Sequence, residues 1–124
     1  MAKDPRKLLG DRGEQIAASF LRKEGYAILD RNWRCSTGEI DIIARDGECI
    51  CFVEVRTRRG DRGPTPEQSI TVAKQTKLIE LGETYLQTNN LPDALWRIDV
   101  VAVGMDSRGL LKRVDLVRNA VSGW

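Results

Sequence analysis

Histidine is missing from all 124 residues of this chain. Its absence removes the Ser-His-Asp and Cys-His nucleophilic arrangements and every His-ligated zinc site. Acid, base or metal chemistry must therefore use Asp, Glu, Lys, Arg, Tyr, Cys or water. Cysteine is scarce and odd in number: Cys35, Cys49 and Cys51 include no Cys-x-x-Cys pair, which argues against a disulfide framework. Cys49 and Cys51 alternate with Ile50 and Phe52, the pattern of small buried thiols on one strand face. Aromatic residues make up only 6%, too few for the stacking walls of a sugar-binding cleft. Long apolar runs are also missing. No stretch reaches the roughly 18 residues a membrane span needs, and the opening MAKDPRKLLGDRGE lacks the apolar region of a signal peptide. The cytoplasm is the expected compartment. The net charge of +2 does not by itself mark a nucleic-acid binder.

What is present is a chain with 41% hydrophobic and 31% charged residues, the balance of a globular protein. Residues 1–124 have the length of one domain, enough to bury a core without disulfides or structural metal. Ile16, Phe20 and Leu21 follow a 3.6-residue period and predict a helix over about residues 11 to 24, stopped by Gly25. YAILDRNWR predicts a weakly patterned strand at a sheet edge. EIDIIAR and CICFVEVRTR are stronger strands, joined through the hairpin signal Asp46-Gly47. The Gly- and Pro-rich RRGDRGPTP breaks regular structure. A long helix follows, opening either at the capping box Thr65-Pro66-Glu67-Gln68 or just after Thr71. ALWRIDVVAVG and GLLKRVDLVRN give two further strands around a turn at Asp106 to Gly109. The order αβββαββ opens with a three-strand antiparallel meander and predicts an α/β mixed central sheet flanked by helices.

Two acids sit where apolar residues are expected: Asp41 between isoleucines and Glu54 between valines. A buried, unpaired carboxylate is costly. Alternation groups Glu39, Asp41 and Ile43 on one face of their strand, and Ile50, Phe52, Glu54 and Arg56 on one face of the next. If the two strands pair, both acids and Arg56 converge on one side of the sheet. Three readings follow. The groups form a structural ion-pair network, or the carboxylates bind a divalent cation such as Mg²⁺ or Mn²⁺, or they act as an acid/base pair on a glycoside. The low aromatic content ranks the third last. The stretch RTRRGDR, with Arg56, Arg58, Arg59 and Arg62 against Asp61, offers partners for an anionic substrate, or is simply a solvated loop.

GDRGEQIAASFLRKEGYAILDRNWR, GEIDIIARDG, CFVEVRTRR, VAKQTKL and WRIDVVAV resemble the YraN-type bacterial family in the same order and spacing, from Gly10 to Val103. That family is similar to the PD-(D/E)xK nuclease superfamily and to archaeal Holliday junction resolvases. The resemblance implies a restriction-endonuclease-like αβββαβ core and a Mg²⁺- or Mn²⁺-dependent endonuclease acting on DNA, branched or single-stranded. It implies Asp41, Glu54 and the Val55 carbonyl as metal ligands, with Glu14 on the first helix as an added acid. Arg56 occupies the position usually filled by lysine, and Lys74 is the candidate to supply the missing amine, or else is a surface helix lysine. Arg56, Arg58, Arg59 and Arg62 would contact nucleic acid, and a homodimer follows by analogy with resolvases. Glu39 and Gln75 are weaker candidates. Arg97 and Asp99 are read as a structural pair, with Arg97 also a candidate phosphate contact, and Trp33, Trp96 and Trp124 mainly as packing residues. Because arginine stays protonated, it cannot be a general base. This keeps open a non-catalytic nucleic-acid-binding or adaptor module on the same fold.

Overall fold

Asp4 and Pro5 open the first helix. The Asp4 side chain accepts the Arg6 N–H at 2.8 Å, and proline fits the first helical position because its missing N–H would have no partner there. The helix α1 therefore runs Pro5–Lys23, starting before the apolar periodicity that marks it in the sequence. Gly25, at φ 94°, ends it. The computed structural model describes residues 4–60 and 70–120. After α1 come β1 (Ala27–Cys35), β2 (Gly38–Asp46), β3 (Cys49–Arg59), α2 (Val72–Thr88), β4 (Trp96–Met105) and β5 (Leu111–Val117). Of the two expected starts for α2, Thr71 is the cap: its Oγ1 accepts the Lys74 N–H at 3.2 Å. The box from Thr65 to Gln68 lies outside the described residues, as does Trp124.

The five strands stand in the order β1-β2-β3-β4-β5. β1, β2 and β3 form the antiparallel meander, β3 and β4 run parallel, and β5 returns antiparallel. A parallel neighbour requires a crossover, and α2 lies on it. The two helices cover opposite faces. Ala17, Ala18 and Leu21 of α1 pack with Ile42, Ala44, Cys51, Val53, Val101 and Val103. Leu78, Leu81, Tyr85 and Leu86 of α2 pack with Ile40, Ile43, Ile50, Phe52 and Ile98. β3 and β4 are thus apolar on both faces, which explains why they read as nearly continuous hydrophobic runs. Gly82 lets α2 approach closely, since a methyl there would come within 2.8 Å of the Phe52 ring.

The expected Arg97–Asp99 pair is part of the scaffold. Asp99 is fully buried, and it accepts hydrogen bonds from Arg97 at 2.9 Å, Tyr26 at 3.1 Å and the Asn119 backbone at 2.8 Å. Arg97 also donates to Asp46 and to the Tyr26 hydroxyl, both at 2.9 Å. A buried charge with every partner in place is tolerable, whereas removing one partner costs several kcal/mol. Trp33 meets Tyr85 edge-on with ring centroids 5.5 Å apart, and Trp96 lies 5.7 Å from Phe52, so both tryptophans pack. Among the described residues no helix is long and apolar enough to cross a membrane.

Candidate active site

The β2–β3 ladder runs from Asp46↔Cys49 to Ile42↔Val53. The next rung would join Asp41 to Glu54. Instead, the Asp41 carboxylate accepts the Val55 N–H at 2.9 Å, and a side chain replaces the backbone acceptor. The direction of the backbone groups follows from the other edge of β3. The Ile50 N–H bonds the Leu95 carbonyl on the approach to β4, so even-numbered residues of β3 aim their backbone groups at β4 and odd-numbered ones at β2. Within a strand the N–H and C=O of one residue point the same way. The Val55 carbonyl therefore faces the opening, on the side of Asp41.

The alternation along β2 slips at the same place. Ile40 and Ile43 both belong to the α2-side core, whereas Ile42 belongs to the α1-side core. The single face expected for Glu39, Asp41 and Ile43 is thus broken at Asp41. The slip lets Asp41 meet both layers: it lies beside Glu14 on α1 and within the field of Lys74 on α2. Glu54 is 7% exposed. Its Oε1 lies 3.6 Å from both Arg56 Nη1 and Lys74 Nζ. Glu14, Asp41, Glu54, Arg56 and Lys74 are thereby brought together.

Burial sets the protonation of this group. It pushes Glu54 up to about 7, helped by the negative charge of Asp41 and opposed by Lys74 and Arg56. It pushes Glu14 up to about 7 as well, again helped by Asp41, while Asn32 and Arg31 oppose. Asp41 is raised by burial first, against the Val55 N–H and the Glu14 contact. Desolvation and crowding outweigh the two cations, so all three carboxyls are held above the ordinary carboxylate range. Among the described residues no three His, Cys, Asp or Glu side chains form a ready-made metal cage. A cation here would be held by Asp41, Glu54 and the Val55 carbonyl, with water or phosphate oxygen completing the shell. That all-oxygen, partly protein-built set fits Mg²⁺ or Mn²⁺ and not zinc.

Other expected contacts lie elsewhere. Arg58 donates to the Gly60 carbonyl and Arg59 to the Ser107 carbonyl, both at 3.0 Å. They brace the end of β3 and the β4–β5 turn. Arg62 lies outside the described residues. Glu39 pairs with Arg34 at 3.0 Å on the surface, and Gln75 donates to the Ile70 carbonyl at 3.3 Å. Two participants escape the sequence patterns, Asn32 and Gly13. A methyl group on Gly13 would overlap the Thr57 side chain of β3; the missing Cβ seats α1 on the sheet and with it the adjacent Glu14. Gly13→Ala is expected to destabilise the fold by about 1–3 kcal/mol through overpacking, read as a lowered midpoint in urea unfolding with an unchanged slope.

Residues 13–103 match the family described as "Uncharacterised protein family UPF0102", a span that contains all five converging side chains. The chain belongs to the UPF0102 family. A UPF0102 protein of Caldicellulosiruptor saccharolyticus is 43% identical over 112 residues, covering 90% of this chain and 95% of the relative. One from Roseiflexus castenholzii is 45% identical over 117 residues, 94% of each chain. One from Chloroflexus aurantiacus is 49% identical over 100 residues, 80% of this chain and 81% of the relative. The YraN-type resemblance is borne out at the level of the family. The UPF0102 match ends within β4, so it spans α1 from Gly13 through the αβββαβ core and leaves β5 beyond it.

Proposed function

We propose that this chain is a divalent-metal-dependent endonuclease acting on DNA, with branched or single-stranded DNA as its substrate class. One observation carries the reading. The buried carboxylate of Glu54 and the half-buried one of Asp41 flank the point where β2 and β3 part, the Val55 carbonyl faces the same opening, and two cations bracket Glu54. Paired structural ions would not need a main-chain carbonyl aimed at them, and cations that dominated their surroundings would lower the acids, whereas burial raises both Asp41 and Glu54.

In this reading Asp41, Glu54 and the Val55 carbonyl hold the cation. When bound, it lowers the pKa of a water and polarises the phosphate. Arg56, permanently charged, clamps the scissile phosphate and stabilises charge that develops on its oxygens. Lys74 reaches Glu54 from the first turn of α2 and supplies the amine that Arg56 cannot, orienting the attacking water. Glu14 braces Asp41. Cutting opposed strands of a junction takes two such sites, which a homodimer would provide.

Arg56 in the usual lysine position favours a second reading, a nucleic-acid-binding module without catalysis. The two separate in one experiment. The purified protein is given labelled junction, flap, single-stranded and duplex DNA with Mg²⁺, Mn²⁺ or EDTA. Cleavage that requires metal is the expected result. Salt-dependent binding with no cleavage under any metal would select the module instead.

A further inference from the structure

Two arginines from different elements meet over the β4–β5 turn. Arg12 of α1 donates to the Gly109 carbonyl, and Arg59 at the end of β3 donates to the Ser107 carbonyl at 3.0 Å. A Cβ built on Gly109 would lie 3.9 Å from both Arg12 Nη1 and Arg59 Cζ, so the two guanidinium groups stand over one residue. Both arginines are exposed. Among the described residues neither is paired with a carboxylate. The acid of the turn, Asp106, accepts the Arg108 and Leu110 N–H groups at 2.8 and 2.9 Å, which fixes the turn that holds the arginines. Arg108, exposed on the same turn, adds a third positive charge.

Bracing a turn does not by itself call for two cations side by side. Like charges repel, and a neutral amide would hold a carbonyl as well. Each guanidinium carries five N–H donors in a planar fork that matches phosphate oxygens, and each uses one of them on the turn. Held by the carbonyls, the pair is pre-organised, so less side-chain freedom is lost when an anion binds. Five residues of β3 separate Arg59 from Glu54, about 17 Å of strand, so one phosphate cannot touch both places. We propose that Arg12 and Arg59 form a phosphate clamp that grips the DNA backbone away from the scissile bond. The proposal rests on the nucleic-acid substrate of the nuclease reading. It adds a second anchor to that reading, and it brings in Arg12, which lies on α1 and outside the run of arginines that follows Glu54.

The test measures binding of labelled four-way junction DNA in EDTA as KCl is raised, for the unaltered protein, Arg12→Gln, Arg59→Gln and Arg12→Lys. Each phosphate that the protein neutralises releases counterions and steepens the fall of log K with log salt. Both glutamine variants are expected to bind several-fold more weakly, with the slope reduced by about one unit. Arg12→Lys keeps the charge and is expected to keep the slope. A role confined to bracing would lower the melting temperature of the glutamine variants and leave affinity and slope unchanged, which would overturn the proposal. A lysine variant as weak as Arg12→Gln would trace the loss to the shape of the turn and overturn it too. Either result leaves the nuclease reading intact. An unaltered protein with no salt-dependent DNA binding would overturn both.

Discussion

Asp41→Asn and Glu54→Gln are each expected to lower metal-dependent DNA cleavage by about a thousandfold or more, while the protein stays folded. Each substitution keeps size and shape and exchanges a carboxylate for a neutral amide, a poor ligand for a hard cation. The fold survives for a specific reason at each position. At Asp41 the amide oxygen can still accept the Val55 N–H, now held at 2.9 Å, so β2 and β3 part as before. At Glu54 the lost attractions to Arg56 and Lys74 are set against relief from burying a charge next to Asp41, and the upward push on Glu54 to about 7 shows that the second effect is larger. Circular dichroism should therefore match the unaltered protein, and DNA binding at low salt should persist. Retained cleavage in either variant, with metal still required, would place the cation elsewhere and dissolve the site as described.

The elements legible in the sequence are those whose signals are local. The meander follows from alternation and from the Asp46-Gly47 turn, where Gly47 has φ 60°, and the two acids stand out because they interrupt apolar strands. The start of α1 is written in Asp4-Pro5, but periodicity alone overlooks a cap that precedes the first apolar turn. The slip at Asp41 is hidden because alternation presumes a regular pleat, and here a side chain takes the place of a ladder acceptor. Gly13 gives no local sign, since its purpose is a contact with Thr57 on another element. Asn32 looks like an ordinary polar edge residue until its backbone is seen to be left-handed. Charge counting cannot distinguish binding from bracing. The arginines at the end of β3 look like a phosphate track, and the structure shows Arg58 and Arg59 also donating to backbone carbonyls.

Without metal, the protein is expected to lose stability as pH rises from about 5 to 7, and added Mn²⁺ is expected to reverse that trend. The sign follows from Glu54, whose carboxyl moves from an ordinary 4.5 to about 7 on folding. Between those values the folded state holds a proton that the unfolded chain has released, so stability falls as pH rises. The contribution is fully present below about 4.5 and gone above about 7, on the order of 3 kcal/mol for a shift of that size. Glu14 shifts in the same direction but is more exposed to solvent and adds less. A cation competes with these protons and requires the carboxylates ionised. Mn²⁺ should therefore raise the melting temperature substantially at pH 8 and little at pH 5. Scanning calorimetry of the unaltered protein and Glu54→Gln, each with Mn²⁺ and with EDTA, checks both halves. In Glu54→Gln the decline with pH should flatten, and the metal-induced rise at pH 8 should shrink. Equal Mn²⁺ effects at the two pH values, or an unchanged slope in the variant, would mean that the cation does not bind at the acids whose protons it must displace.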